Sequence, residues 1–294
     1  MSEHSRPPIV VGVDGSAASD AAVRWATAEA AMRGLPMTLM HVVAPVVVSW
    51  PLGPMHANIT QWQHDRGREI LDRSQQIAVG SMPTGHDADV CTESQSAGPV
   101  PSLLAASKEA AMVVVGSRGL DAVRRHLLGS VSSGLIHHAL CPVALVHDAD
   151  WGSKVSAGAP VLVGIDGSPA SEAAAALAFD EASRRGVDLL ALHAWSDVGV
   201  FPILGMDWHT YRDQGEEALA ERLAGWQERY PDVRVQRRLV CDRPAHWLIG
   251  ESDGAQLVVL GSHGRGGYAG MLLGSVSTAV AEAARVPVIV ARSG

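Results

Sequence analysis

Lysine is nearly missing from this chain of 294 residues: Lys108 and Lys154 are the only two, and arginine supplies the rest of the 23 positive charges. A phosphate loop of the Gly-x4-Gly-Lys-Ser/Thr type is therefore excluded. Cysteine is scarce as well. Cys91, Cys141 and Cys241 are odd in number and widely spaced, which fits neither a disulfide framework nor a zinc site. They read as reduced, mostly buried thiols. No apolar run approaches the ~18 residues of a membrane-spanning helix, and Met1 to Pro8 is too short and too polar for a signal peptide. These absences predict a soluble, cytoplasmic protein with no membrane span. Positive charge is in deficit too: 31 acidic residues give a formal net charge of −8, which argues against a broad nucleic-acid surface. What is present is a packed, globular composition, 47% hydrophobic and 18% charged. Each half of the chain is long enough to bury its own core without disulfides or metal.

The halves repeat each other. Ile9-Val-Val-Gly-Val-Asp-Gly-Ser16 returns as Val161-Leu-Val-Gly-Ile-Asp-Gly-Ser168, and Val113-Val-Val-Gly-Ser-Arg-Gly119 as Val258-Val-Leu-Gly-Ser-His-Gly264. Leu127-Leu-Gly-Ser-Val-Ser132 returns as Leu272-Leu-Gly-Ser-Val-Ser277, and Cys141-Pro-Val as Val286-Pro-Val. The offset is 152 in the early blocks and 145 in the late ones, so the first copy carries seven extra residues between them. Matched blocks in the same order make this a duplicated domain. The expected division is a flexible N-terminus over 1–8, a first domain over 9–147, a linker over 148–159 and a second domain over 160–294.

Within the first copy, short valine-rich runs (Ile9–Val13, Met37–Val43, Met112–Val115, Val143–Val146) have strand length, and their unbroken hydrophobicity suits strands covered on both faces. Helical patterns fill the gaps: Ser19–Arg33 with Gly34 as its stop, Gln61–Ile77, Pro101–Ala111 and Ser130–Ala139. Strands separated by helices imply parallel crossovers. The fold class is thus α/β, with two tandem doubly wound, Rossmann-like domains, each a five-stranded parallel sheet flanked by helices. Such sheets bind ligands outside the carboxyl ends of their strands, where the winding reverses.

The chemistry-bearing motif is Gly116-Ser-Arg-Gly119, nine residues, then Gly129-Ser130; its second copy is Gly261-Ser-His-Gly264, nine residues, then Gly274-Ser275. The first glycine ends a buried strand and the second lets the chain turn closely around a ligand. The closing Gly-Ser opens the last helix, where free N–H groups and the helix dipole favour an anion. Such a loop can cradle phosphates without lysine. It can also be a plain turn with a capping serine, but two copies, each after a valine strand, favour phosphate. Asp14 and Asp166 end the first strand of each copy at the crevice, and an Asx-turn is compatible with ligand contact there. Gly12 and Gly164, two residues earlier, remove bulk where a flat base can approach.

The Val/Ile-Asp-Gly-Ser start, the late Gly-x2-Gly-x9-Gly-Ser and the final Cys/Val-Pro-Val strand together resemble the universal stress protein family, in two copies from Ile9 to Arg292. The resemblance implies that ATP is bound by both domains; magnesium is expected with it only because cellular ATP carries it. In the first, the implied contacts are Gly12, Asp14, Val42, Gly116, Ser117, Arg118, Gly119, Leu120, Asp121, Ala122, Gly129, Ser130, Val131 and Ser132. In the second they are Gly164, Asp166, Ala194, Asp197, Gly261, Ser262, His263, Gly264, Arg265, Gly266, Gly267, Gly274, Ser275, Val276 and Ser277. The aspartates would contact the nucleoside, the glycine-serine motif ribose and phosphates, and the backbone of Val42 and Ala194 the adenine edge. Ser132 and Ser277 would add phosphate contacts. Asp121 and Ala122 replace the flexible pair Gly266-Gly267, and Asp197 has Pro45 as its counterpart, so the second domain is expected to bind more tightly. The resemblance also implies a homodimer, regulatory protein partners and a role in stress response, growth or dormancy.

Other residues carry less. His41 and His193 read as structural, and His137-His138 lack a partner at metal-ligand spacing. Trp25, Trp195 and Trp226 read as packing anchors, and Arg124-Arg125 and Arg184-Arg185 as solvated faces. A dinucleotide enzyme is excluded because Gly12-Val-Asp-Gly-Ser-Ala is not Gly-x-Gly-x-x-Gly. For slow ATP hydrolysis, His263 is the nearest base, and the sequence shows nothing that orients it. A regulator with at most weak ATPase activity is the expected class, ahead of a slow hydrolase or a nucleotide-independent interaction protein.

Overall fold

The computed structural model describes residues 6–44, 56–86, 89–119, 128–147, 156–194, 208–264 and 273–292. The chain divides into two compact units, Met1–Ala149 and Asp150–Gly294.

The first unit runs β1 (Ile9–Gly12), α1 (Ala17–Arg33), β2 (Met37–Val43), α2 (His56–Ser81), β3 (Val90–Ser96), α3 (Pro99–Ala106), β4 (Met112–Gly116), α4 (Ser130–His138) and β5 (Val143–Val146). Its strands lie in the order β3-β2-β1-β4-β5, every pair parallel. The second unit repeats the series as β6 (Val161–Gly164), α5 (Pro169–Arg185), β7 (Leu189–Ala194), α6 (Trp208–Arg229), β8 (Val235–Val240), α7 (Pro244–Ser252), β9 (Leu257–Gly261), α8 (Ser275–Ala283) and β10 (Val288–Ala291). Its order is β10-β9-β6-β7-β8, again parallel. In each unit the chain leaves the first strand towards one side and returns on the other. That places a switch point, and hence a crevice, between β1 and β4 and between β6 and β9.

The valine-rich runs form the buried central strands: β4, β5, β9 and β10 have no exposed residue. The edge strands are a different matter. Val90–Ser96 reads Val-Cys-Thr-Glu-Ser-Gln-Ser and is almost wholly exposed, so it has no hydrophobic run to announce it; pairing with β2 makes it a strand. The first helix begins where Ser16 accepts a hydrogen bond from Ser19 N and stops at Gly34, whose φ is 63°; Ser168 and Gly186 do the same for α5. Pro101–Ala111 is not helical to its end. α3 covers Pro99–Ala106, because the Ser107 hydroxyl donates to Leu104 O and accepts from Leu140 N, closing the helix against the loop before β5.

Charged residues inside the helices are paired. Glu29 and Glu181, both essentially inaccessible, meet Arg33 and Arg185 one turn later, and Asp20 meets Arg73 of α2. Arg184 bonds both oxygens of Asp180 at 2.9 Å, so the Arg184-Arg185 pair serves its own helix. Trp25 is buried. Trp226 stacks on Phe179 and donates to Glu172 at 2.8 Å. Trp195 and Arg124-Arg125 lie outside the described residues, as does linker 148–155.

The cysteines correct one expectation. Cys141 is buried, but Cys91 and Cys241, on or beside the edge strands, are exposed. Burial pushes the Cys141 thiol up to about 11, outweighing its backbone hydrogen bonds. Because the thiolate is the reactive form, a thiol-specific reagent should label Cys91 and Cys241 in the native protein and Cys141 only after unfolding. Peptide mapping that finds Cys141 labelled in folded protein would contradict this packing.

Candidate functional site

The two crevices are built alike. Asp14 follows β1, and its Oδ1 accepts from Ser16 N at 2.9 Å; Asp166 Oδ1 accepts from Ser168 N at the same distance. One carboxylate oxygen thus makes the Asx-turn that leads into α1 or α5. The other faces across the crevice: a Cβ added at Gly119 would lie 2.7 Å from Asp14 Oδ2, and one added at Gly264 would lie 2.7 Å from Asp166 Oδ2. Glycine at these positions is what lets the carboxylate sit against the loop backbone.

Gly116 and Gly261 have a different task. A Cβ on Gly261 would meet the backbone of Ala170 and Ser171 at 2.6–2.9 Å, and one on Gly116 would meet Ala18 and Ser19 at 2.8–2.9 Å. They allow the first helix to pack on the strand end. Gly129 and Gly274 cap α4 and α8 without any side-chain capping bond. The helical ladder starts only with Ser133 N to Gly129 O and Thr278 N to Gly274 O, so the preceding N–H groups, on Ser130 to Ser132 and Ser275 to Ser277, point forward as anion donors. The hydroxyls of Ser132 and Ser277 do not join them. Each is buried and donates to the carbonyl of its strand-ending glycine, Gly116 or Gly261, at 2.7 and 2.6 Å.

The second unit contains a cavity of about 240 Å³ at this place. It is just below the ~300–1,000 Å³ usual for small-molecule sites, so part of a larger ligand must extend outside it. Gly164, Asp166, Ala194, Gly261, His263, Gly264, Gly274, Ser275, Val276 and Ser277 line it. Ser262 does not line it; that side chain is buried, its hydroxyl 2.9 Å from His263 Nδ1. Asp197, Arg265, Gly266 and Gly267, like Leu120, Asp121 and Ala122 of the first copy, lie outside the described residues. In the first unit Val42 lies near the end of β2, Ser117 is buried with no partner for its hydroxyl among the described residues, and Arg118 occupies the position of His263.

Sequence reasoning missed the apolar floor: Ile165, Leu192, Leu248 and Leu260, with Pro244 and Ser171 beside them. The repeat held the signal, since Met40, Leu103 and Val115 stand at the matching positions, and a Cβ on Gly12 would reach Val115 and Leu103 at 3.0 and 3.1 Å as one on Gly164 reaches Leu260 at 2.9 Å. The strand-end histidines are structural as read: the ring Nδ1–H of His41 donates to Val13 O at 2.7 Å and that of His193 to Ile165 O at 2.6 Å. Each bond anchors the residue just before the aspartate. Arg222 was also missed. Its guanidinium fills the space that a Cβ on Gly167 would take, with Nη1 buried and without a hydrogen-bond partner among the described residues; in the first unit Ile70 packs on Gly15 instead.

The loop into α7 is strained. Asp242 and Arg243 both have positive φ, 58° and 48°, although Arg243 precedes a proline that disfavours that conformation. The matching Gly98 has an ordinary φ of −72°. Left-handed backbone costs a non-glycine residue roughly 1–2 kcal/mol, partly offset by glycine's greater freedom when unfolded. Arg243→Gly is therefore expected to stabilise the protein by about 0.5–1 kcal/mol in urea denaturation. A loss of stability would mean that the arginine side chain holds the loop.

This doubled α/β sheet with a carboxylate and a helix N-terminus facing one crevice defines a class, and the comparisons with known proteins agree. The universal stress protein family profile matches residues 6–147 and 159–292. Universal stress proteins of Mycolicibacterium smegmatis and Mycobacterium tuberculosis are each 55% identical to the chain over 284 residues, covering 97% of it and 96% of the relative. A universal stress protein structure from Archaeoglobus fulgidus matches with a TM-score of 0.70 over 98% of both chains, at 21% identity, a likeness of fold. The chain belongs to the universal stress protein family, as a tandem member with two such domains.

Proposed function

We propose that both domains bind ATP and that the chain acts in the cytoplasm as a nucleotide-dependent regulator of stress response, growth or dormancy. The observation that carries this reading is the contact made identically in both units, an aspartate oxygen against the second glycine of the loop. In the second unit that contact opens onto a cavity with an apolar floor and a helix N-terminus at its rim. The base lies on Leu192, Leu248 and Leu260, the sugar hydroxyls reach Asp166 or Asp14, and the phosphates leave the cavity over the first N–H groups of α8 or α4. Leaving the cavity suits its limited volume and explains why no lysine is required. Magnesium accompanies the phosphates, since it keeps most of its waters and needs one or two carboxylates at most; the described residues contain no group of three or more His, Cys, Asp or Glu set to hold a metal. Regulatory protein partners and a homodimer complete the proposal.

The test is nucleotide content. Natively purified protein is denatured and the released small molecules are identified by chromatography with mass detection, followed by titration of the emptied protein with magnesium and ATP. Release or uptake of ATP is the expected result. Failure of both would leave a nucleotide-independent interaction protein on the same fold.

A further inference from the structure

The loop position held by Arg118 in the first unit and His263 in the second differs in kind, and the structure shows how the second is set. His263 lines the cavity. Its backbone is pinned, because Ser168 Oγ donates to His263 O at 3.1 Å, and its ring is pinned through Nδ1, 2.9 Å from Ser262 Oγ. Ser262 is 1% exposed, and among the described residues its hydroxyl makes no other hydrogen bond. A buried hydroxyl proton left without an acceptor is costly. A Ser262 hydroxyl that gives its proton to Nδ1 leaves the ring hydrogen on Nε2, at the edge away from Ser262. A ring in that state is a donor and not a base. In the first unit the matching Ser117 hydroxyl is buried with no partner among the described residues, and Arg118 offers a cation that cannot be neutralised.

We infer that this position sets the charge selectivity of each nucleotide site: the Ser262–His263 pair presents a neutral N–H donor to a phosphate, whereas Arg118 presents a full positive charge. The inference rests on the ATP reading above. A guanidinium rewards each added phosphate charge, and a neutral donor rewards mainly the hydrogen bond. The first site therefore discriminates ATP from AMP more strongly than the second, and the second is the one able to hold ligands of lower charge. Among the described residues that line the cavity there is no arginine or lysine; Arg222 lies against Gly167 and is not in the lining.

The experiment uses the full chain with one site silenced at a time, by Asp14→Ala or Asp166→Ala, and titrates ATP and AMP as probes. The ATP-to-AMP preference of the first site should exceed that of the second by about 10-fold. Arg118→His should lower it by about that factor, and His263→Arg should raise that of the second site. Nitrogen-15 NMR of the ligand-free protein near neutral pH supplies an independent readout: His263 should carry its proton on Nε2, with mixed tautomers in Ser262→Ala and restoration in Ser262→Thr. Unchanged preferences on swapping the two residues, or a proton on Nδ1 in the wild type, would overturn the inference while leaving ATP binding intact. A wild-type protein that binds no ATP would sink both.

Discussion

Gly261→Ala is expected to destabilise the second domain by about 3 kcal/mol, the upper part of the range for forcing extra volume into a packed site. The added methyl has nowhere to go, because what it meets is backbone: Ala170 C at 2.6 Å, Ala170 O at 2.7 Å and Ser171 N at 2.9 Å. Those atoms belong to the first turn of α5, so relief requires the helix start to lift off the end of β9. That turn also carries Ser171, whose hydroxyl accepts from the N–H of Asp166 and Gly167 at 3.3 and 3.1 Å, and lifting it would disorganise the aspartate turn as well. Hydrogen exchange of the β6 and β9 amides should accelerate by roughly two orders of magnitude, each 1.4 kcal/mol being tenfold. Unchanged exchange would mean that the helix yields without cost. The prediction bears on how binding data are read. Loss of nucleotide in Gly261→Ala reports a displaced helix, while Gly264→Ala presses, among the described residues, on the carboxylate of Asp166 and not on backbone, and is the better probe of the crevice.

Where the sequence was readable, it was because one kind of interaction dominated. Val113–Val115 and Val258–Leu260 are buried on both faces, so their apolar runs mark strands without help from neighbours. Val90–Ser96 and Val235–Val240 are edge strands whose largely exposed side chains follow no apolar rule; their backbone pairing to β2 and β7 is a property of the assembled sheet. The crevice divides in the same way. Asp166, Gly264 and Gly274 announce themselves because they stand in a motif that occurs twice. Leu192, Leu248 and Leu260 look like any core leucine, and only the topology turns them into a floor. The sequence differences used to rank the two sites, Asp121-Ala122 against Gly266-Gly267 and Pro45 against Asp197, fall outside the described residues. The differences that the structure does display are Arg118 against His263, Ile70 against Arg222 and Gly98 against Arg243. None of these breaks a propensity rule loudly enough to be noticed in the chain alone.

Substituting Asp166 separates its two roles. Oδ1 holds the turn into α5 through Ser168 N, and Ser168 in turn caps that helix by accepting from Ser171 N at 3.1 Å. Oδ2 lies against Gly264, on the ligand side. Asp166→Ala removes both oxygens, so it should cost about 1 kcal/mol of stability for the lost turn bond and weaken ATP at the second site. A hydrogen bond to a charged group is worth ~1.5–3 kcal/mol, which makes the affinity loss roughly 10- to 150-fold. Asp166→Asn keeps an acceptor at Oδ1 and should hold stability within about 0.5 kcal/mol of wild type. It places an amide NH2 where Oδ2 stood, and that group can donate but not accept a hydroxyl proton, so its ATP affinity should fall nearly as far as in the alanine variant. Both would be measured by calorimetric titration with magnesium and ATP in an Asp14→Asn background, so that only the second site is read, with urea denaturation alongside. An asparagine variant that binds ATP as tightly as its parent would reduce Asp166 to a turn residue. Weak binding in a protein of parental stability places the carboxylate on the ligand, a separation that the alanine variant, unsettled in its turn as well, is unable to make.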